Sequence, residues 1–356
     1  MEGNGPNSIQ SSAVVPPMNL GDIPVKIAEQ IIAPLDAITK KSLRLTNKDL
    51  KSVVDRSPVT YNQVTLTLAD NAPEIYIEML IDQENRLELE FVKTPTGCLI
   101  KNPSEAWEKQ ELNPDQNQFM KKASEHFVKI LGKAHITVKN LVFIFDIPVA
   151  IAGCGGLRPD DNHPACSAFI RTHEEFLDIF ETYLKLLPHR LNVEHVKFLD
   201  NFDSNECVLK LLPYLQPGTL EKITWFSGKY HTQVPSVIGL DQFQRAQVLV
   251  TDVIPYRDIF GNFKHLYFAY ANNHALPNLG ALLNTLCSLR TEWQTVEYNV
   301  KHRFLINDFL RHLIDETPEE MKGPNSPKLV KIPNTDNFMK IEVLGSTVLI
   351  TKVNNL

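Results

Sequence analysis

The sequence predicts a mixed α+β chain in two parts, a small helical module followed by a larger region in which short strands alternate with helices. Three observations carry this expectation. Residues 20–54 place apolar side chains at helical spacing between turn signals, residues 59–92 alternate apolar and polar with period two, and from residue 138 the spacing apolar-x-x-apolar-x-apolar keeps returning with helical stretches between its copies. With 356 residues, 43% hydrophobic and 22% charged, the composition is that of an ordinary globular chain with room for one large domain and one small one. A formal net charge of −6 without any cluster of Lys and Arg argues against a nucleic-acid footprint, which needs a basic face. Five cysteines without regular spacing indicate free thiols in a reducing compartment, and no window is apolar enough to span a membrane. The expected location is inside the cell, in the cytoplasm or nucleus.

Residues 1–17 lack a basic start and a continuous apolar core, so they read as a disordered tail and not a signal peptide. Asp22 precedes Pro24, whose missing N–H costs nothing in a first helical turn, and is the expected N-cap of a first helix. Ile27, Ile31 and Leu35 fall at steps of four, with Ile23 and Ile32 widening the stripe, and Pro34 ends it. Asp36 can cap a second helix carrying Ile38, Leu43 and Leu45. Thr46 with Asp49 fits a capping box opening a third, whose buried face is Leu50, Val53 and Val54. A module of about 35 residues cannot bury this surface alone, so the rest of the chain or a partner must complete it.

The order Leu20-Gly21-Asp22-Ile23-Pro24, the Ile27 and Ile31 stripe, Leu35-Asp36, Ser42-Leu43-Arg44-Leu45-Thr46-Asn47, then Leu50 and Val53-Val54, resembles an F-box over the whole motif. That resemblance implies a three-helix module at 18–57 that docks on a Skp-family adaptor and through it on a cullin of a ubiquitin ligase. Position by position, it implies adaptor contact at Ile23, Pro24, Ile27, Ile31, Leu35, Leu43, Leu45 and Leu50.

Next come Val64, Leu66 and Leu68, then Ile75, Ile77 and Met79, then Leu87, Leu89 and Phe91, which predict a three-stranded meander. Pro95, Gly97, Pro103 and Pro114 make 93–116 a loop and a boundary, so 58–115 is expected to be meander and linker, and 116–356 the α/β domain. Phe119, Ala123, Phe127 and Ile130-Leu131 predict a helix over 116–131 that Gly132 stops. The repeated spacing then appears at Val138-Leu141-Phe143, Val193-Val196-Phe198, Leu220-Ile223-Trp225, Phe263-Leu266-Phe268 and Trp293-Val296-Tyr298, with a weaker copy at Val248 and Val250. Helical segments are expected between them at 176–187, 207–215, 236–243, 278–289 and 307–314.

The last slots lie 55, 27, 25, 18 and 30 residues apart, broadly the period of leucine-rich repeats, with one repeat masked in the first gap. Alternation sends the intervening residues Lys197, Thr224, Phe226, Leu249, Tyr267 and Glu297 to the opposite face, where a protein target could be held. The unit is irregular, and an ordinary open α/β sheet fits the same pattern. Residues 338–343 and 348–350 around Gly345-Ser346 suggest a closing hairpin.

The run from Val208 through Pro217-Gly218 to Ile223, and the block from Leu240 to Val248, are similar to the FTH domain that follows the F-box in the nematode F-box A family. Together the two resemblances cover 20–54 and roughly 120–300. They imply the substrate-receptor subunit of an SCF-type ligase, with the FTH-like domain recruiting a protein for ubiquitination. A protein-binding scaffold without a ligase is the alternative, and a small-molecule enzyme on an open sheet a more distant one.

Catalytic candidates are thin. In Gly153-Cys154-Gly155-Gly156 the third glycine of a dinucleotide turn would fall on Arg158, so the stretch reads as a loop. Cys154, His163, Cys166 and His173 are possible metal ligands, but only His163 and Cys166 are closely spaced. No nucleophile elbow, P-loop or H-E-x-x-H motif is present. His126, His189 and His312 read as surface or capping residues, and Trp225 and Trp293 as core. The expectation is no catalytic residue, no metal and no cofactor.

Overall fold

The computed structural model describes residues 23–35, 37–46, 48–69, 74–81, 85–103, 106–113, 115, 117–145, 164–200, 206–227, 234–251, 263–271, 286, 293–300, 327–332, 335–344 and 347–354. The expected tail at 1–17, the Asp22 and Asp36 caps, the stretch 146–163 and the helical segments at 278–285, 287–289 and 307–314 lie outside them. The chain divides into two compact units, Met1–Val59 and Thr60–Leu356.

Three short helices build the first unit: α1 (Val25–Ile32), α2 (Ala37–Thr46) and α3 (Lys48–Val54). Pro24 takes the N-cap position of α1, not its first turn, and its carbonyl accepts from the N–H of Ile27 at 2.8 Å and of Ala28 at 3.0 Å. Thr46 does not cap α3. As the last residue of α2 it donates its hydroxyl back to the Leu43 carbonyl at 2.7 Å, the competing bond available to any Thr at a helix end. Ala28, Ile32, Leu50, Val53 and Val54 form the core of the unit, with Ile23, Leu35 and Leu43 packed against it. Lys40 is buried, and its ammonium donates to the carbonyls of Ala33 at 2.9 Å and of Pro58. These bonds offset the loss of water around the charge and tie the end of α1 to the chain leaving α3.

The second unit is organised by one mixed sheet. Its strands are β1 (Val59–Ala69), β2 (Glu74–Leu80), β3 (Arg86–Thr94), β4 (Gly97–Asn102), β5 (Trp107–Leu112), β6 (Ile136–Phe145), β7 (Asn192–Asp200), β8 (Lys222–Ser227), β9 (Val248–Thr251), β10 (His265–Ala271), β11 (Thr295–Val300), β12 (Lys328–Lys331), β13 (Asn337–Leu344) and β14 (Thr347–Asn354). Its helices are α4 (Gln118–Leu131), α5 (Pro164–Leu184), α6 (Glu206–Leu211) leading into a 3-10 turn at Leu212–Tyr214, α7 (Val234–Ile238) and α8 (Asp241–Arg245). Across the sheet the order is β12-β13-β14-β11-β10-β9-β8-β7-β6-β1-β2-β3-β4-β5. The chain is therefore a mixed α+β protein dominated by strands.

From β6 to β11 the strands are parallel and adjacent in chain order. Antiparallel strands flank this array: β14 pairs with β11 and carries β13 and β12, while β1, beside β6, begins the antiparallel run to β5. The hairpin expected near the C-terminus is β13–β14.

Two expectations are corrected here. Residues 93–116 are not a loop, because they hold β4 and β5; Gly97 opens β4 at φ +151°, where a Cβ would collide with the Glu111 carbonyl of β5. No repeat is masked in the first gap either, since β7 pairs directly with β6. The long interval instead holds the 21-residue α5 together with 146–163.

Packing follows the slots. Leu141, Val196, Ile223, Leu249, Leu266 and Val296 stand side by side across β6–β11, each at most 1% exposed. Phe143, Phe198, Trp225, Thr251 and Phe268 form the next buried row. On this side Phe127 of α4 and Phe176 and Phe180 of α5 meet Phe143 and Phe145, with Phe127 and Phe180 edge-to-face at 5.0 Å and Phe143 stacked on Phe198 at 5.5 Å. Helix α4 also packs on β2, β3 and β4 and ends at Gly132, as expected. The ring of His126 rests edge-on against Phe91 and is half-buried, so it is a packing residue and not a surface one.

Candidate functional site

In the helical unit, the arc of α1 that turns inward is Ala28 and Ile32. Ile27 and Ile31 therefore face out, at 48% and 47% exposed, together with Val25 at 53%; Leu45 of α2 is 80% exposed. Pro24 is exposed as well, while Ile23, Leu35 and Leu43 are partly buried against the core. Leu50 corrects the expectation: at 5% exposed it belongs to the unit's own core and cannot meet a partner directly. What remains is an aliphatic surface on a unit too small to cover it.

The sheet unit offers a second surface, on the side away from the phenylalanines. Alternation brings Val142, Lys197, Thr224, Val250, Tyr267 and Glu297 into one row across β6–β11. Five of the six residues expected on this face are in place on the backbone: Lys197, Thr224, Phe226, Tyr267 and Glu297. The side chain of Phe226 lies outside the described residues. Leu249 is on the wrong side. It is a fully buried slot residue, and its neighbour Val250 takes the open position. The copy of the repeat here is Ala246-Leu249-Thr251, all buried, one residue out of step with Val248 and Val250. Its first and last slots hold a small and a hydroxylated side chain, which gave no apolar signal.

A groove of about 550 Å³ runs along this face over β1, β2 and β6–β9. Val142, Ile144, Leu199 and Val250 supply aliphatic floor, and Gln63, Thr65, Asn140 and Thr224 supply uncharged polar groups. Its titratable residues are Glu78, His195, Lys197 and Lys222. Glu78 is already paired, because the Arg86 guanidinium lies 2.7 Å from it and also meets Glu88. The imidazole Nδ1 of His195 is 3.2 Å from the Asn140 side-chain oxygen, and the Asn140 amide donates to the Asn62 carbonyl at 2.9 Å, which holds both side chains in the groove wall. Beyond the groove, Tyr76 donates its hydroxyl to Glu74, which raises the phenol's pKa well above its usual value.

Of the four candidate metal ligands, only His173 has a described side chain. His173 is buried on α5 against the Phe145 ring at 4.5 Å, and burial, with the Lys210 charge nearby, lowers its pKa to about 4. Cys154, His163 and the Cys166 side chain lie outside the described residues. Among the described residues no group of three or more His, Cys, Asp and Glu could hold a metal ion, and no helix is long and apolar enough to cross a membrane.

The fold and its two surfaces define a mixed α+β sheet protein with an open face and a separate exposed aliphatic patch. Within it, residues 174–273 match the FTH domain, a span that runs from the middle of α5 to just beyond β10 and includes Lys197, Thr224, Phe226 and Tyr267. No curated protein and no solved structure matches the chain.

Proposed function

We propose that this chain is the substrate-receptor subunit of an SCF-type cullin ubiquitin ligase, of the kind found in the nematode F-box A family. The observation that carries the reading is the pairing of two features on one chain. A three-helix unit turns Ile27, Ile31 and Leu45 outward in a sequence order similar to an F-box, and an FTH domain, which is an F-box-associated domain, follows it. The helical unit docks on a Skp-family adaptor through these aliphatic side chains, with Pro24 beside them and Leu50 supporting them from within. Each side chain covered contributes ~1.5–3 kcal/mol before association costs, so three or four suffice for stable docking.

The sheet unit holds the protein target on its open face. Its parallel strands in chain order support an irregular leucine-rich-repeat-like reading of that domain. The chain catalyses nothing itself and needs no cofactor. It raises the effective concentration of a target lysine at the ligase, inside the cell.

Co-purification with a Skp-family adaptor tests the reading. Wild type should bind and Ile27→Asp should not, because the new charge would be buried without a partner. An adaptor recovered equally by both chains sinks it, and no recovery by either leaves a protein-binding scaffold without a ligase as the function.

A further inference from the structure

The open-face groove is cationic although the chain as a whole carries a net charge of −6. Glu78 is held by Arg86, and among the described residues Lys197 and Lys222 have no ion-pair partner. The two lysines sit on neighbouring strands. Lys222 is in register with His195 and Lys197 with Thr224, so their Cα atoms are one strand apart and two residues offset, about 8 Å. In an extended peptide, residues i and i+2 point the same way and lie about 7 Å apart. An acidic side chain at each of those positions therefore meets one lysine each, while the side chains at i−2 and i+4, which point the same way, reach the aliphatic floor of Val142, Ile144, Leu199 and Val250.

We propose that the groove recognises an extended acidic segment of a protein partner, with Asp or Glu at two positions separated by one residue and aliphatic side chains two residues before or after this pair. This deepens the target-receptor reading above and rests on it. The chemistry favours carboxylates over phosphorylated residues. Among the described residues no arginine lines the groove, whereas phosphorylated motifs are recognised chiefly by clusters of arginine. Lysine ammoniums act as point charges that a single carboxylate satisfies.

The test is selection from a random 12-residue peptide library on the immobilised full chain, wild type beside the double variant Lys197→Glu/Lys222→Glu. Wild type should enrich peptides with Asp or Glu at i and i+2 and Val, Ile or Leu at i−2 or i+4. The best of them, made synthetically, should bind the double variant at least about tenfold more weakly and should lose affinity as salt rises. The milder Lys197→Gln/Lys222→Gln should weaken it as well, with an unchanged tryptophan-monitored unfolding midpoint for both variants.

Enrichment of neutral or basic peptides, no enrichment at all, or equal binding by wild type and either variant overturns the proposal. So does a phosphoserine version that binds about tenfold tighter than its glutamate parent, which would make the groove a phosphopeptide site. Adaptor co-purification reads only the helical unit. A chain that selects acidic peptides but ignores the adaptor therefore keeps the groove and loses the ligase, and the opposite pattern does the reverse.

Discussion

Ile27 and Ile31 of the helical unit stand about half exposed, whereas Leu220, Ile223 and Trp225 of the sheet unit are each at most 1% exposed. Both sets lie at regular spacing in the chain, so periodicity alone does not set their fate. The sheet unit has neighbours for every slot: each parallel strand extends the buried rows of the one before it, and α4 and α5 close over Phe143 and Phe145. Among its described residues the helical unit has the small cluster of Ala28, Ile32, Leu50, Val53 and Val54, which uses one arc of α1 and leaves the other facing water. Where a chain can stack, apolar repetition becomes core; where it cannot, part of the same repetition stays at the surface.

The contrast can be broken by substitution. Trp225→Ala empties a fully buried slot and should cost about 3–5 kcal/mol in urea unfolding followed by tryptophan fluorescence. Trp107 and Trp293 remain as reporters, and all three tryptophans belong to the sheet unit. A loss below about 1 kcal/mol would mean the slots are not cooperative core.

Next in size, Ile32→Ala should cost about 2–4 kcal/mol in the helical unit, read as faster amide hydrogen exchange in peptides from residues 23–57. Its neighbour Ile31→Ala should change the same exchange by no more than about 0.5 kcal/mol, because its side chain is already in water. Equal effects at the two positions would remove the distinction between inward and outward arcs.

The smallest of the three losses sharpens the comparison by pH. The folded pKa of His173 is depressed to about 4 by burial and by Lys210, against an ordinary 6.5. As pH falls through about 6.5 the unfolded chain takes up this proton and the folded chain does not, so stability present above that pH is lost on the way down to about 4. Between pH 7 and 5 the loss in the sheet unit should be about 2 kcal/mol, and His173→Leu should flatten it. Residues 1–59 contain no histidine, so exchange in the helical unit should stay level over that window once corrected for the intrinsic rate.

Much of the parallel array was legible because its slots are filled by large apolar residues: Leu220-Ile223-Trp225 and Phe263-Leu266-Phe268 announce both strand and face. The intervening Lys197, Thr224 and Tyr267 followed from alternation. Ala246-Leu249-Thr251 escaped because alanine and threonine carry no clear signal, and the register slid by one onto Val248 and Val250. That slip sent Leu249 to the wrong face, as any one-residue slip in a strand must. Strand β5, with its sequence WEKQEL, was missed for a different reason: it sits at the sheet edge and is exposed at most of its positions, so nothing in it needs to be apolar. On α1 the apolar residues Ile27, Ala28, Ile31 and Ile32 occupy a broad arc, and the position of α3 decides which part of it the unit covers itself.

The antiparallel strands at both flanks of the parallel array have a consequence for how such a chain can vary. Because β1 lies against β6 and β14 against β11, the array ends on strands that are not copies of its own unit. Insertion or loss of one strand with its crossover between β7 and β10 leaves both end contacts as they are. Such a change would create no new sheet edge and would alter the width of the open face in steps of one strand spacing.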